Sequence, residues 1–131
     1  MIRVLLIDDH ERFRECMAAL IASTPGFLVA GDTALARAAL DLLAAGLEVD
    51  VLLTDLRMPG IDGIELTRRV QALRPGLPVL VLSSHDDPVL VAAAAAAGAR
   101  GYQRKGAPLD ALLQALRDVV AGRSAFPSDH L

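Results

Sequence analysis

The chain has a single cysteine, Cys16, so no disulfide can form within it, which fits a reducing cytoplasm. Cys16 falls among apolar positions of a predicted helix, where packing is its expected role. No apolar run approaches the ~20 residues needed to cross a bilayer. The N-terminus opens directly on a strand pattern, without the basic region and apolar core of a signal peptide. A cytoplasmic protein with no membrane partner is therefore expected. Basic residues are not in excess: the formal charge is −3, the opposite of a nucleic-acid footprint. No metal-ligand spacing joins His10, His85 and His130, which argues against zinc, and His10 and His130 read as surface residues. No internal repeat occurs, and no domain boundary shows before Gly122.

What is present points to one domain. A length of 131 residues suits it, and an apolar fraction of 53% can fill a two-sided core. Strand and helix patterns alternate five times. Residues 2–7, charged only at Arg3, carry an apolar run that is continuous rather than alternating, as in a strand buried on both faces. The first helix spans 11–23, with Phe13, Met17 and Leu20 inward, and Pro25-Gly26 stops it. A short strand follows at 27–31. Thr33 is the expected N-cap of a second helix with the stripe Leu35, Ala39, Leu42, broken at Gly46.

The third strand is Val51-Leu52-Leu53-Thr54-Asp55, and helix three runs over 62–73 with Leu66, Val70 and Leu73 inward and Arg68-Arg69 outward. Strand four is predicted at 78–84, helix four at 89–97 with Pro88 in its first turn, and strand five at 100–104. The six alanines 92–97 follow from helix propensity and carry no chemistry. Helix five covers 108–121, with Leu109, Leu112, Leu113, Leu116 and Val120 at helical spacing. Residues 123–131 read as a tail or linker.

Repeated βα units with such connections require parallel strands and right-handed crossovers. The expected fold is an α/β doubly wound five-stranded parallel sheet, flavodoxin-like (βα)5, in the order 2-1-3-4-5. One strand ending on an acid could merely cap the next helix. Here two do: Asp8-Asp9 follow the first strand and Asp55 ends the third. That order makes the two strands neighbours, so the three carboxylates converge at a switch point, where open α/β sheets bind ligands. Like charges so placed raise at least one pKa unless cations share the site.

Four segments at successive strand ends carry a family resemblance. They are Leu6-Ile7-Asp8-Asp9-His10, Leu53 through Gly63, Val81-Leu82-Ser83-Ser84, and Gly101-Tyr102-Gln103-Arg104-Lys105. Together they resemble the receiver domain of two-component response regulators over residues 2–121. Asp-Asp-His and the ending Ala121-Gly122-Arg123-Ser124 are similar to the NarL/FixJ (LuxR-type) branch. The resemblance implies a receiver domain over 1–121 and a tail or linker start over 122–131. It implies Asp55 as phosphoacceptor, with Lys105 and Ser83 assisting. A magnesium ion would be held by Asp9 and Asp55, by Asp8 through water, and by the backbone carbonyl of Arg57.

Ser83 and Tyr102 would form the switch, with Arg57 and His85 tuning phosphoryl lifetime. The family more often has Thr where Ser83 stands. Gly106 after Lys105 departs from the frequent Pro, as is usual where a cis bond is absent. The implied donor is a sensor histidine kinase, and the implied output is homodimerisation or control of a DNA-binding domain lying beyond this chain. The tail Ser124-Ala125-Phe126-Pro127 resembles the start of a family linker, which favours a truncated receiver over a stand-alone one.

Three other readings fit less well. A haloacid-dehalogenase-type phosphatase carries Asp-x-Asp after its first strand, not the adjacent pair Asp8-Asp9. A flavin mononucleotide binder needs a Ser/Thr/Gly-rich loop there, and Asp-Asp-His-Glu would repel the phosphate. A pseudo-receiver that only binds a partner would not need every site position filled, as each is here.

Overall fold

In a computed structural model that describes residues 1–85 and 87–127, the central strands lie between two layers of helix. In chain order the elements are β1 (Ile2–Ile7), α1 (Glu11–Ala22), β2 (Phe27–Thr33), α2 (Ala36–Ala44) and β3 (Val51–Asp55). They continue with α3 (Gly63–Leu73), β4 (Val79–Ser83), α4 (Pro88–Ala96), β5 (Gly101–Arg104) and α5 (Leu109–Val120). All strand pairs are parallel, in the order β2-β1-β3-β4-β5, as the sequence predicts.

Strand side chains alternate between faces, so two apolar layers form. Leu5, Ile7, Leu52, Val79 and Val81 face α2, α3 and α4. Val4, Leu6, Val51, Leu53, Leu80 and Leu82 face α1 and α5. This two-sided burial explains why β1, β3 and β4 read as continuous apolar runs rather than alternating ones.

Some inward helix positions differ from those expected by about one residue. Leu20, Leu35, Leu42, Leu73 and Val120 are exposed, while Ile21, Ala36, Leu43 and Val119 are buried; Ala39, Leu66, Val70, Leu112, Leu113 and Leu116 face inward as expected. Side-chain size suggested the larger residue; the angle around the helix decides, and alanine fits where α2 lies close to the sheet. β2 runs two residues further than predicted, so Thr33 lies in the strand and is not the α2 N-cap, which is Leu35. Thr33 Oγ1 instead accepts from the Leu35 N–H at 3.3 Å. Cys16 is exposed rather than packed, because it sits on the solvent side of α1 beside the buried stripe.

The described part of the tail is docked. Ala125 forms a parallel bridge with Gly101, accepting from the Tyr102 N–H and donating to the Arg100 carbonyl, each at 3.0 Å. Phe126 packs against the α2–α4 core. The segment thus covers the otherwise open edge of β5. His130 and the rest of 128–131 lie outside the described residues. Among those described, no helix is long and apolar enough to cross a membrane.

Candidate functional site

Register assembles the site. Ile7 pairs with Thr54, so Asp8 and Asp55 are carried side by side at the carboxyl ends of β1 and β3. Asp55 pairs with Leu82, and Ser83 with Arg104, which sets Ser83 and Lys105 along the same rim. The Lys105 N–H donates to the Ser83 carbonyl at 2.8 Å, fixing where the lysine side chain starts. Its Nζ then reaches 2.9 Å from Asp8 Oδ2 and 3.3 Å from Asp55 Oδ2. Nζ also lies over the Phe13 ring, 4.5 Å from its centroid.

The α3 side is equally constrained. Asp62 N-caps α3 by accepting from the Glu65 N–H at 2.8 Å. Gly63 donates to the Leu56 carbonyl at 2.8 Å, and the helix start abuts the end of β3. A Cβ at Gly63 would collide with the Asp55 carbonyl oxygen and stand 3.0 Å from Leu56 Cα. Only glycine lets α3 approach so near to the Asp55 backbone. Gly60, with φ of 79°, makes the turn between them.

Asp55 Oδ1 accepts from the Leu56 N–H at 2.8 Å. Asp55 Oδ2, Asp8 Oδ2 and Asp9 Oδ1 are buried and make no hydrogen bond among the described residues. Lys105 is near two of them, at ion-pair distance without hydrogen-bond alignment. Burial raises the Asp55 pKa, the Asp8 charge adds to the rise, and Lys105 and the Leu56 N–H oppose it. A buried carboxylate oxygen without a hydrogen bond is expensive unless opposite charge binds there, a need that Lys105 meets in part for two of the three. Three such oxygens converging on one point fit a hard dication, which takes oxygen ligands.

A cleft of about 270 Å³ opens onto these oxygens, lined by Asp9, His10, Asp55, Arg57, Ser83, Ser84 and His85. Ser83 is buried, and its Oγ accepts from the His85 N–H at 3.0 Å, whereas Ser84 is exposed. Tyr102 is 1% exposed and its hydroxyl donates to the His85 carbonyl. It is therefore an inward-facing core residue tied to the site loop. Among the described residues no peptide bond is cis, in line with Gly106 after Lys105.

Two residues at the site were not singled out in the sequence. His10 is exposed, as read there, and its Nδ1 lies 3.0 Å from Asp8 Oδ1 and 3.4 Å from Asp55 Oδ2. Its place directly after the acidic pair was the available signal. Arg14, one helical turn on, donates from Nη1 to the Asp8 carbonyl at 2.7 Å and from Nε to Asp32 at 3.1 Å. It ties the ends of β1 and β2 together beneath the cleft, and only its charge on α1 hinted at this.

Residues 4–117 match the model of the response regulator receiver domain. Response regulator GacA of Pseudomonas aeruginosa is 37% identical over 123 residues, covering 94% of this chain and 57% of that protein. Response regulator UvrY of Escherichia coli K12 is 35% identical over 129 residues, 98% of this chain and 59% of its own length. The chain thus spans under three fifths of these relatives. A LuxR-family two-component response regulator from Aurantimonas sp. SI85-9A1 superposes with a TM-score of 0.90 at 34% identity, covering 98% of this chain and 91% of that one. The signal receiver domain of NarL from Mycobacterium tuberculosis gives 0.86 at 35% identity, with 93% and 98% covered. With its acidic cleft at the switch point of the sheet, the chain belongs to the receiver domains of two-component response regulators, among LuxR/NarL-type relatives.

Proposed function

We propose that Asp55 accepts a phosphoryl group from a partner histidine kinase and that this event resets the surface around β5. The observation that carries the reading is Asp55 Oδ2, a buried carboxylate oxygen with no hydrogen bond, facing the cleft between Asp8 and Lys105. An Asp55 Oδ2 lone pair attacks phosphorus, and the bond from phosphorus to the donor nitrogen breaks with its electron pair leaving on the donor. With acetyl phosphate the bond broken is to oxygen instead. The product is an acyl phosphate.

The fitting cation is magnesium, held by Asp9 and Asp55 directly, by Asp8 through water and by the Arg57 carbonyl. Asp8 Oδ1 already accepts from the His10 N–H at 2.9 Å, which leaves this side chain less free to ligate directly. When bound, the ion offsets negative charge as the phosphoryl arrives. Lys105 moves from the carboxylates to the phosphoryl oxygens, and the Ser83 hydroxyl donates to one of them. Arg57 and His85, at the cleft rim, tune how easily water reaches the acyl phosphate.

The output runs through Tyr102. Its hydroxyl is tied to the His85 carbonyl and its N–H to Ala125, so one residue links the site loop to the tail. A Ser83 hydroxyl that turns to the phosphoryl releases the His85 N–H and loosens that loop. The face of α4, β5 and α5 then changes, serving dimerisation or an attached DNA-binding domain. In the cytoplasm such a chain reaches DNA only through that further domain. Incubation with magnesium and acetyl phosphate tests the chemistry: intact mass rises by one phosphoryl, mapped to Asp55, and label retained in full by Asp55→Asn refutes it.

A further inference from the structure

β1 pairs with its neighbours only as far as Ile7, which lies opposite Thr33 and Thr54. The Asp8 N–H still donates to the Thr33 carbonyl at 3.1 Å, but β2 ends there and Asp9 lies beyond the ladder. The planar peptide between Asp8 and Asp9 sets how both side chains leave the backbone. Something other than the sheet must hold it, and Arg14 does. Nη1 donates to the Asp8 carbonyl at 2.7 Å, while Nε donates to Asp32 Oδ1 at 3.1 Å. These are two donors of one rigid fork, so together they fix the guanidinium plane as well as its distance. Asp32 is itself placed by register, opposite Leu6 near the end of β2. The Arg14 side chain is only 15% exposed, so water competes little for either bond.

The charge of Arg14 works against its position. A dication in the acidic cleft is repelled by a nearby guanidinium, and Asp32, 43% exposed, offsets only part of that charge. Acting through charge alone, Arg14 would weaken such a site. Hydrogen bonding to the backbone that carries the acids does the reverse, since partners that orient the ligands of a metal strengthen its binding. The two effects have opposite signs, so one measurement separates them.

We propose that Arg14 is a positioning residue: by clamping the Asp8–Asp9 peptide to the end of β2 it aims both carboxylates into the cleft, and through them it tightens magnesium. The inference rests on the reading of Asp8, Asp9 and Asp55 as a magnesium site. Arg12, exposed on the same helix, lines a hollow with His10 and Lys105 and supplies the control, an equal charge close to the site.

The test titrates the full 131-residue chain with magnesium by calorimetry, without phosphodonor. Arg14→Met weakens magnesium by roughly tenfold. Arg12→Met, which removes the same charge, leaves binding unchanged or slightly tighter. In chelator, the His10 amide, which donates to Asp8 Oδ1, exchanges faster in Arg14→Met, while amides within β3 keep wild-type protection. Should the methionine variant fold poorly, Arg14→Lys keeps the charge and the stem without the fork, and shows the same changes at smaller size. Magnesium binding in Arg14→Met as tight as wild type or tighter overturns the proposal. Wild-type binding and exchange in Arg14→Lys, or an equal loss in Arg12→Met, overturns it as well. A wild-type protein that binds no magnesium refutes the cation reading instead. His10 exchange in chelator then decides the clamp by itself, and exchange unchanged in Arg14→Met sinks it.

Discussion

β3 is bracketed by two aspartates whose surroundings are opposite. Asp50, just before the strand, has both carboxylate oxygens satisfied by Arg3: Oδ2 accepts from its N–H at 2.7 Å and from Nε at 3.1 Å, and Oδ1 from Nη2 at 3.2 Å. The Asp50 N–H donates back to the Arg3 carbonyl at 2.8 Å. The hydrogen bond from Arg3 holds the Asp50 pKa below the ordinary aspartate value. Asp55, at the strand's other end, is raised by burial and by Asp8. The same residue type thus staples two strands at one end of the sheet and keeps a buried oxygen without a hydrogen bond at the other. Unsatisfied hydrogen-bonding capacity, not acidity alone, separates the carboxylate proposed to react from the structural one.

The largest expected effect breaks that comparison outright. Asp55→Asn should lose all acetyl-phosphate-driven gain in mass, while Asp50→Asn should keep it at the wild-type level. Comparable loss from both would mean that Asp50 supports the chemistry through β3.

Next in size is Gly63→Ala. Its Cβ meets backbone at Asp55 and Leu56, which cannot yield as a flexible side chain would. Overpacking of this kind costs about 1–3 kcal/mol, and the upper half of that range is expected here. Chemical denaturation measures it. A variant as stable as wild type would show that α3 can slide away from the end of β3 at little cost.

Acid stability should separate the two aspartates by sign. Below its ordinary value of ~3.9, Asp50 stays ionised in the fold while the unfolded chain takes up protons. Its stabilisation is fully present above that value and is lost as pH falls through the lower folded value. Asp55 works the other way: above its raised value the carboxylate opposes folding, and relief comes as pH falls from there toward ~3.9. In chelator, Asp50→Asn should therefore lower stability near neutral pH by about 1 kcal/mol, the modest figure reflecting partial exposure of the Arg3 pair. Asp55→Asn should raise it. Melting curves across the acid range decide, and the same sign for both variants would remove the distinction.

How far the sequence disclosed these contrasts depended on what each residue's role rested on. The meeting of Asp8, Asp9 and Asp55 follows from apolar runs that end on acid and from the expected strand order, whereas Lys105, after the polar stretch Tyr102-Gln103-Arg104, came in through the family resemblance. Helix faces were legible only to within a residue, because Leu42 beside Leu43 and Val119 beside Val120 have equal hydropathic claims. The tail's docking on β5 was hidden, since backbone pairing by Ala125 has no side-chain signature. His10 is on the surface as read, but its approach to the carboxylates was hidden for a related reason: it depends on the backbone bond to Asp8, not on any spacing between histidines. Asp50 and Asp55 themselves look alike in sequence, as Arg3 is separated from Asp50 by 47 residues.

The smallest change sharpens the comparison most finely, because it should leave both chemistry and stability near wild type. Ser83 Oγ holds the His85 N–H, and the His85 carbonyl holds Tyr102, so the site loop is pinned from two sides. A phosphoryl on Asp55 brings roughly −1.5 to −2 charges and strong acceptor oxygens. A hydroxyl that turns to it gains a charge-assisted bond of about 1.5–3 kcal/mol, enough to shift a two-state ratio by ten- to a hundredfold. Resistance to that shift is low: α4 buries only Val91 and Ala94 as helix residues, and Val89 is largely exposed. Ser83→Ala should still take up phosphoryl at Asp55 but lose most of the change in amide exchange across residues 83–105. Over 48–52, around the Asp50 staple, exchange should stay unaltered by phosphoryl in both proteins. A full response in the alanine variant would exclude Ser83 as the relay. A response spreading to 48–52 would show that the two ends of β3 are coupled, and that the staple belongs to the switch rather than to its frame.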